Sequence, residues 1–252
     1  MVLPLYAIDL QGIYTAYEGG DRPVIRDLSL RAGKGEYVIV GGPNGAGKTT
    51  LLESINGMVP VTHGRAAVCG LDVRRHGHEV RKKAGYVVQS FYFEPFTPFT
   101  VGQVVMMGRY GRLGPLRRPG PADYEAAERA IRTVGIEDLV AKPIGTLSGG
   151  QQQKALIAQN LAKEPEIMLL DEPFSNLDFL SREHVTGILQ GLVDRGTTVV
   201  MVSHAFDGLP DARIHIVIMD GGRITMDGTC RAGEVAGIVR TSMTAKPGAV
   251  AR

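Results

Sequence analysis

The sequence predicts an α/β protein with a parallel sheet in its core, strands at its N-terminus and an inserted α-helical subdomain. Three observations support this fold class. Apolar and β-branched runs typical of strands fill the first quarter of the chain and return from residue 166 onward. A glycine-rich loop joins one of these strands to a helix. Between residues 100 and 163 the apolar spacing becomes helical.

The N-terminal strands are expected at residues 5–15, 24–31 and 36–41, with a turn at 33–36 between the second and the third. The stretch "GGPNGAGKTT", residues 41–50, ends the third strand and continues into a helix that begins near Lys48. A strand, a glycine loop and a helix in this order form the context of a phosphate-binding loop.

The helical block contains three segments with apolar residues three to four positions apart: "VGQVVMMGRY", "ADYEAAERAIRTVG" and "QQQKALIAQNLAKE". The Pro-, Gly- and Arg-rich stretch at 112–121 is expected to be a loop between them. The later strands alternate with helices, which implies a buried parallel sheet. They are predicted at residues 166–171, 197–202, 213–219 and 222–227. The final "MTAKPGAVAR" is expected to be disordered.

Composition excludes several classes of protein. At 252 residues the chain can bury about 70 to 75% of its unfolded surface, so its core needs no disulfide framework. The chain has only two cysteines, Cys69 and Cys230, and shows no recognisable targeting segment. These features predict a reducing, cytosolic environment. A net charge of +2, from 28 Lys and Arg against 26 Asp and Glu, argues against a nucleic-acid binder. The longest apolar runs fall far below the roughly 18 residues that a membrane-spanning helix requires.

The glycine loop carries the chemistry of nucleoside triphosphate binding. Gly42, Gly45 and Gly47 let backbone N–H groups turn inward, and the following helix points its positive end at the same phosphates. Lys48 is expected to reach the terminal phosphates, and the Thr49 hydroxyl to ligate Mg²⁺. The predicted phosphate-binding set is Gly42, Pro43, Asn44, Gly45, Ala46, Gly47, Lys48, Thr49 and Thr50.

Acidic residues complete this site from neighbouring strands. In "IMLLDEP", residues 167–173, a buried strand delivers Asp171 to its carboxyl end, where a metal-side carboxylate belongs. Glu172 is the expected general base for the attacking water. His204 follows another buried strand, so it is expected at the same edge of the sheet, contacting the terminal phosphate or orienting Glu172.

A second glycine loop, "LSGGQQQK" at 147–154, raises a separate question. Ser148 is placed as a helix N-cap, and Gly149 and Gly150 permit close backbone approach, which makes an anion site at a helix N-terminus. The loop has no phosphate-reaching lysine ahead of its helix and no acid of its own. It is therefore predicted to cover a phosphate that another loop holds.

These residues resemble the signature loop of the ATP-binding-cassette (ABC) family, and the resemblance extends over nearly the whole chain. It implies a P-loop NTPase core with a parallel sheet, an N-terminal antiparallel β-subdomain and an inserted α-helical subdomain. Members act as head-to-tail pairs, so Ser148, Gly149, Gly150 and Gln151 would close over the ATP of a second copy. The implied cofactors are ATP and Mg²⁺.

Further roles follow from the resemblance alone. Tyr17 matches the aromatic that stacks on adenine, although an exposed tyrosine near a hairpin is also ordinary. Gln89 in "GYVVQS" matches the glutamine that approaches Mg²⁺ and the attacking water, and Asp178 in "SNLD" matches the acid that touches the partner. One departure is that Gln159-Asn160 stands where an arginine and an alanine are usual, which puts a supporting ion pair in doubt.

The resemblance also sets the expected organisation. Residues 1–240 are predicted to form one ABC ATPase domain, with 1–90 and 164–240 as the nucleotide-binding core, 91–163 as the helical subdomain and 241–252 as a flexible tail. The expected partners are a membrane permease, bound through residues 90–112, a second copy of the chain and, indirectly, an extracytoplasmic solute-binding protein; no nucleic acid is expected. The predicted location is the cytoplasmic face of the membrane.

Two local features admit alternative readings. Five of the fifteen Phe and Tyr residues lie between positions 91 and 99, either by chance within a helical core or as a partner-binding surface. His76 and His78, with Glu79, could suggest a metal site, but the surrounding arginines and lysines favour a solvated connector.

Three functions compete. The segment from 94 to 119 most resembles ATPases of manganese, zinc and iron importers, with siderophore or cobalamin importers close behind. A soluble ABC-type ATPase of an assembly machine, such as an iron–sulfur cluster scaffold, would carry the same ATP site. A DNA or ribosome factor is disfavoured, because such proteins carry long coiled coils or two cassettes.

Overall fold

The computed structural model describes residues 6–17, 22–89, 92–114, 116–203, 209–210 and 212–244. Its strands are β1 (Tyr6–Thr15), β2 (Ile25–Gly33), β3 (Tyr37–Gly41), β4 (Val61–Val68), β5 (Leu71–Asp72), β6 (Ala84–Val87), β7 (Ile167–Asp171), β8 (Thr198–Val202), β9 (Arg213–Asp220) and β10 (Arg223–Arg231). Its helices are α1 (Lys48–Ile55), α2 (Val73–Lys83), α3 (Val101–Leu113), α4 (Pro121–Val134), α5 (Gly149–Ala162), α6 (Phe179–Asp194) and α7 (Ala232–Thr244). None of these helices is long and apolar enough to cross a membrane.

The strands form two sheets. A four-stranded sheet in the order β2-β1-β4-β5 is antiparallel throughout, which confirms the antiparallel N-terminal subdomain. Sequence reasoning placed β1 and β2 but did not locate β4, which Gly64 interrupts, or β5, which has only two residues.

The larger sheet has the order β10-β9-β3-β8-β7-β6. Strands β9, β3, β8, β7 and β6 are parallel, and every residue of β3, β7 and β8 is buried, as expected for a sheet covered on both faces. The last strand differs from the prediction, because β10 pairs with β9 antiparallel. Only a two-residue turn separates the two strands, which is too short for a crossover helix, and β10 alternates between exposed and half-buried residues as an edge strand does.

The three predicted helices of the insertion are α3, α4 and α5, and a buried arginine ties them together. Arg109 of α3 donates hydrogen bonds to Asp123 Oδ1 of α4 at 2.9 Å, to the Ala162 carbonyl at the end of α5 at 2.8 Å, and to Glu164 Oε2 at 2.9 Å. Its side chain is only 10% exposed. This ion-pair network holds the helical subdomain against the segment that leads into β7.

The stretch around His76 and His78 is solvent-exposed, as expected, and lies in helix α2, which is kinked at His76. Asp72 caps the first turn of this helix by accepting from the Arg74 N–H at 2.9 Å. Val73 and Val80 give this helix one buried face.

At the C-terminus, α7 continues through Thr244, so residues 241–244 are helical rather than part of a tail. Residues 245–252 lie outside the described residues.

Candidate functional site

The first glycine loop lies at the carboxyl edge of the parallel sheet, between β3 and α1. Gly42 has φ 138°, and a Cβ there would overlap the carbonyl oxygen of Met219. Gly47, with φ 95°, adopts a left-handed conformation immediately before α1. These two positions require glycine, so the loop can fold tightly over the N-terminus of α1.

Lys48 opens helix α1 and is almost completely buried, with 7% exposure. Its Nζ donates to the carbonyl oxygens of Gly42 at 2.9 Å and Pro43 at 2.8 Å. Burial lowers the pKa of the Lys48 ammonium, while the nearby Glu172 and Asp171 carboxylates partly offset this effect. The loop therefore folds around its own cation, as a phosphate-binding loop requires.

Thr49 and Asp171 meet although they lie 122 positions apart in the sequence. The Thr49 hydroxyl donates to Asp171 Oδ2 at 2.7 Å. Burial raises the pKa of Asp171, the bond from Thr49 opposes that shift, and the neighbouring Glu172 adds to it. A hydroxyl and a carboxylate at this distance supply the oxygen ligands that Mg²⁺ prefers, so the residues fit the predicted ion.

Glu172 follows β7 directly and has φ 48°, an uncommon conformation for a residue with a side chain. Its backbone N–H donates to the Val202 carbonyl at the end of β8 at 2.9 Å, which fixes the backbone between two strand ends. Such a conformation is maintained only where the surrounding structure demands it.

One cavity of about 500 Å³ collects most of the predicted catalytic residues. Gln89, just beyond β6, lines it together with the residues at the ends of β7 and β8. The lining residues are Val24, Asn44, Gly45, Gly47, Lys48, Thr49, Thr50, Gln89, Asp171, Glu172 and Val202. Sequence reasoning missed Val24 and Val202, since neither carries a polar group. The predicted catalytic residue His204 lies outside the described residues.

The second glycine loop is not part of this cavity's lining. Ser148 caps α5 as predicted: its Oγ accepts from the Gln151 N–H at 3.3 Å, and its own N–H donates to Gln151 Oε1 at 3.1 Å. A Cβ at Gly150 would lie 2.9 Å from the Asn176 carbonyl oxygen, so this loop packs closely on the segment that precedes α6. None of the residues at 148–151 lines the cavity that the first glycine loop forms in the same chain.

Asp178 and Tyr17 have contacts that the sequence did not predict. Asp178 caps α6 by accepting from the Ser181 N–H at 2.7 Å, and this backbone hydrogen bond lowers its pKa. The Tyr17 hydroxyl bonds Glu53 Oε2 at 2.6 Å and Thr50 Oγ1 at 3.1 Å, both on α1. Thr50 lines the cavity, so the Tyr17 hydroxyl contacts one lining residue, although Tyr17 is not itself part of the lining.

Comparison with known proteins places the chain in a family. A family model described as "ABC transporter" matches residues 25–175. The chain belongs to the ABC transporter family.

Curated relatives and solved structures agree with this assignment. The manganese transport system ATP-binding protein MntB of Bacillus subtilis is 37% identical over 79% of this chain and 78% of its own length. The zinc transport system ATP-binding protein TroB of Treponema pallidum is 36% identical over 79% of this chain and 73% of its own. A dimeric ATP-binding cassette, solved in a post-hydrolysis state with ADP and phosphate, has a TM-score of 0.76 at 25% identity, covering 89% of this chain and 99% of that one. The protein is thus an ABC ATPase that binds and hydrolyses ATP.

The departure at Gln159-Asn160 has a structural role in this cassette. Asn160 accepts a hydrogen bond from the Tyr86 backbone N–H at 2.8 Å and donates to the Leu156 carbonyl at 2.9 Å. It therefore ties the signature helix α5 to β6, the strand that leads to Gln89. The buried ion pairs of the helical subdomain include those of Arg109, which sequence reasoning missed; an arginine within the mainly apolar helix α3 was the available signal.

The aromatic segment of the cassette divides between surface and core. Tyr92, Phe96 and Phe99 are exposed by 65%, 96% and 41%, whereas Phe93 packs against the buried core. Phe91 lies outside the described residues. Phe99 also borders a cleft of about 750 Å³ between α3 and α4, lined mainly by apolar and aromatic side chains such as Met106, Tyr110 and Tyr124.

Proposed function

We propose that this ABC ATPase energises the uptake of a divalent metal ion, manganese or zinc, through a membrane permease. The observation that carries the ATPase chemistry is the convergence of Lys48, Thr49, Asp171 and Glu172 on one cavity. The assignment of the solute is supported by the names of the relatives MntB and TroB. The solute itself is not expected to touch this chain.

The phosphate loop binds the triphosphate of ATP. Backbone N–H groups of Gly45 and Gly47 and the N-terminus of α1 face the phosphates, and Lys48 contacts the terminal ones. Lys48 exchanges its bonds with the Gly42 and Pro43 carbonyls for bonds to phosphate oxygens, which are charge-assisted and stronger.

Thr49 and Asp171 are proposed to hold Mg²⁺, with Gln89 approaching it from β6. When bound, the ion neutralises charge on the phosphate oxygens. Asp171 carries an elevated pKa because it is buried, and a hard cation beside it favours its ionised form.

Glu172 is proposed as the general base that accepts a proton from the attacking water, with Gln89 orienting that water. A base positioned in this way contributes about 10² to 10⁴ in rate, or about 3 to 5 kcal/mol. The backbone bond from Glu172 to Val202 favours this role, since it fixes where the carboxylate can reach. His204, assigned from the sequence, is retained as the group that contacts the terminal phosphate or orients Glu172.

The signature loop is proposed to act on the partner of a homodimer. Ser148, Gly149, Gly150 and Gln151 lie apart from the cavity of their own chain, so they are available to cover the ATP held by a second copy. Asp178 contacts that copy from the N-terminus of α6. The solved dimer of a related cassette supports this arrangement.

The permease is proposed to dock on the helical subdomain, through residues 90–112 and the cleft between α3 and α4. The occupant that fits is a short amphipathic helix of the permease, whose apolar side enters the cleft lined by Met106 and Tyr110. Tyr92 and Phe96 are exposed in the segment that leads to Phe99, which borders this cleft. Docking there holds the ATPase at the cytoplasmic face of the membrane, with an extracytoplasmic solute-binding protein acting only through the permease.

The test measures uptake in cells from which this chain has been deleted. Complementation with the wild-type chain or with Glu166→Gln, an exposed control far from the cavity, is expected to restore uptake of radiolabelled manganese or zinc, whereas Glu172→Gln is not. The Glu172→Gln form should also co-purify with a polytopic membrane protein under ATP. Restored siderophore or cobalamin uptake without metal-ion uptake would refute the solute assignment. Co-purification with a soluble scaffold alone would refute the transporter.

A further inference from the structure

Helix α1 carries a carboxylate that belongs to neither the phosphate loop nor the metal site. Glu53 lies on the same helix face as Thr50, three positions earlier, and both face Tyr17 at the end of the N-terminal sheet. The Tyr17 hydroxyl donates to Glu53 Oε2 at 2.6 Å, a length typical of a bond to an ionised acceptor. It is also 3.1 Å from Thr50 Oγ1.

The donor and the acceptor of each of these hydrogen bonds can be assigned. Glu53, as a carboxylate, can only accept, so the Tyr17 hydroxyl donates its single proton there. The Thr50 hydroxyl is then the donor toward the Tyr17 oxygen. Two bonds therefore anchor one end of the Tyr17 side chain, although Tyr17 is 46% exposed and lies 33 and 36 residues from its two partners.

The anchored end and the phosphate site belong to one rigid element. Lys48 and Thr49 open α1, and Glu53 follows within the same eight-residue helix. Any group resting on the Tyr17 ring is therefore held at a fixed distance from the phosphates. A free tyrosine at this exposed position would have to be ordered on binding, which costs affinity.

We propose that Glu53 is a positioning residue for the adenine base: it locks the Tyr17 ring, through the hydroxyl, in the orientation that stacks on ATP. This inference rests on the adenine-stacking role that the family resemblance implies for Tyr17. Glu53 touches neither nucleotide nor metal in this role and acts only through Tyr17. Ordering of the ring before ATP arrives lowers the KM for ATP and leaves the chemical step unchanged.

The experiment measures kcat and KM for ATP by phosphate release, together with the inhibition constant of inorganic tripolyphosphate, which has no base. Tyr17→Phe keeps the ring and removes the tether, which is the hydroxyl bonded to Glu53 and Thr50. Glu53→Ala removes the acceptor of this hydroxyl, and Glu53→Gln keeps a neutral acceptor. Tyr17→Ala removes the ring, and Glu166→Ala is the matched carboxylate control. Thermal unfolding midpoints of all variants verify folding.

Tyr17→Phe and Glu53→Ala are each expected to raise the KM for ATP by about two- to tenfold, with kcat unchanged. The inhibition constant of tripolyphosphate stays at its parental value, because the phosphate loop is intact. Glu53→Gln recovers part of the loss, and the Tyr17→Phe/Glu53→Ala double variant has no higher KM than the worse single variant.

The outcomes separate the tether from the functions on which it rests. A raised KM in Tyr17→Ala, with parental values in Tyr17→Phe and Glu53→Ala, overturns the tether and leaves stacking in place. A parental KM in Tyr17→Ala overturns stacking and tether together, while ATPase activity itself still stands. Equal weakening of ATP and tripolyphosphate in Glu53→Ala assigns Glu53 to the helix fold and also overturns the proposal.

Discussion

Replacing Glu172 by glutamine isolates the chemical step of the proposed mechanism. The side chains have nearly the same shape, and the backbone of residue 172 is held by its own N–H bond to Val202 at 2.9 Å. The substitution therefore removes a proton acceptor without moving the strand ends around it. Loss of a positioned base is expected to slow hydrolysis by about 10² to 10⁴, equivalent to about 3 to 5 kcal/mol of transition-state stabilisation.

ATP binding is expected to survive this substitution. Glu172 lies close enough to Lys48 and Asp171 to influence both their pKa values, so its negative charge also lies close to the bound phosphates. Neutralising it removes a repulsion, and the closed dimer should accumulate because ATP binds but is not consumed. Phosphate release at saturating ATP measures the rate, equilibrium binding measures affinity, and size-exclusion chromatography with ATP measures the dimer. Glu166→Gln is the matched control. Hydrolysis at the parental rate in Glu172→Gln would show that another group is the base.

Other predictions test the remaining parts of the site. Lys48→Ala should abolish hydrolysis and weaken ATP binding by about tenfold to a hundredfold, measured by calorimetry; unchanged affinity contradicts its phosphate contact. Ser148→Arg should block hydrolysis while leaving ATP binding intact, and Ser148→Thr, which keeps the capping hydroxyl, should retain activity; full activity of the arginine variant contradicts the closed dimer. Phe96→Glu, at a position 96% exposed, should abolish metal uptake in cells but not the ATPase activity of the purified protein, and normal uptake would remove Phe96 from the docking surface. Hydrogen bonds from the Gly120 backbone and from Arg109 lower the pKa of Asp123, so its contribution to stability is present above the unfolded carboxyl pKa of about 4 and is lost as pH falls through the lower, folded value. Acid unfolding monitored by circular dichroism should accordingly begin at higher pH in Asp123→Asn, and an identical acid transition would contradict this account.

The sequence by itself determined the phosphate loop, the buried strands and the general order of the chain. Gly42 and Gly47 adopt backbone conformations that only glycine adopts easily, so their spacing ahead of Lys48 identifies the loop from the sequence. The strands before Asp171 and after residue 197 are uninterrupted apolar runs, because both faces of a parallel sheet are buried. The helices of the insertion followed from their apolar periodicity. β5 and α2 did not, since β5 has only two residues and α2 has only two buried apolar residues and a non-helical residue, His76, inside it.

Only the tertiary structure decided which distant residues meet. Thr49 and Asp171 form their hydrogen bond across 122 positions because parallel strands end at one edge, and no local pattern specifies the register that brings them together. The bond from Tyr17 to Glu53 likewise depends on how separate elements pack, and so do the bonds of Arg109 to α4, to the end of α5 and to Glu164 ahead of β7. The antiparallel pairing of β10 with β9 follows from the two-residue turn between them, and the sheet order places β10 at the edge. Local sequence fixes backbone conformation and burial pattern, whereas contacts over long separations are set by the packing of the whole chain.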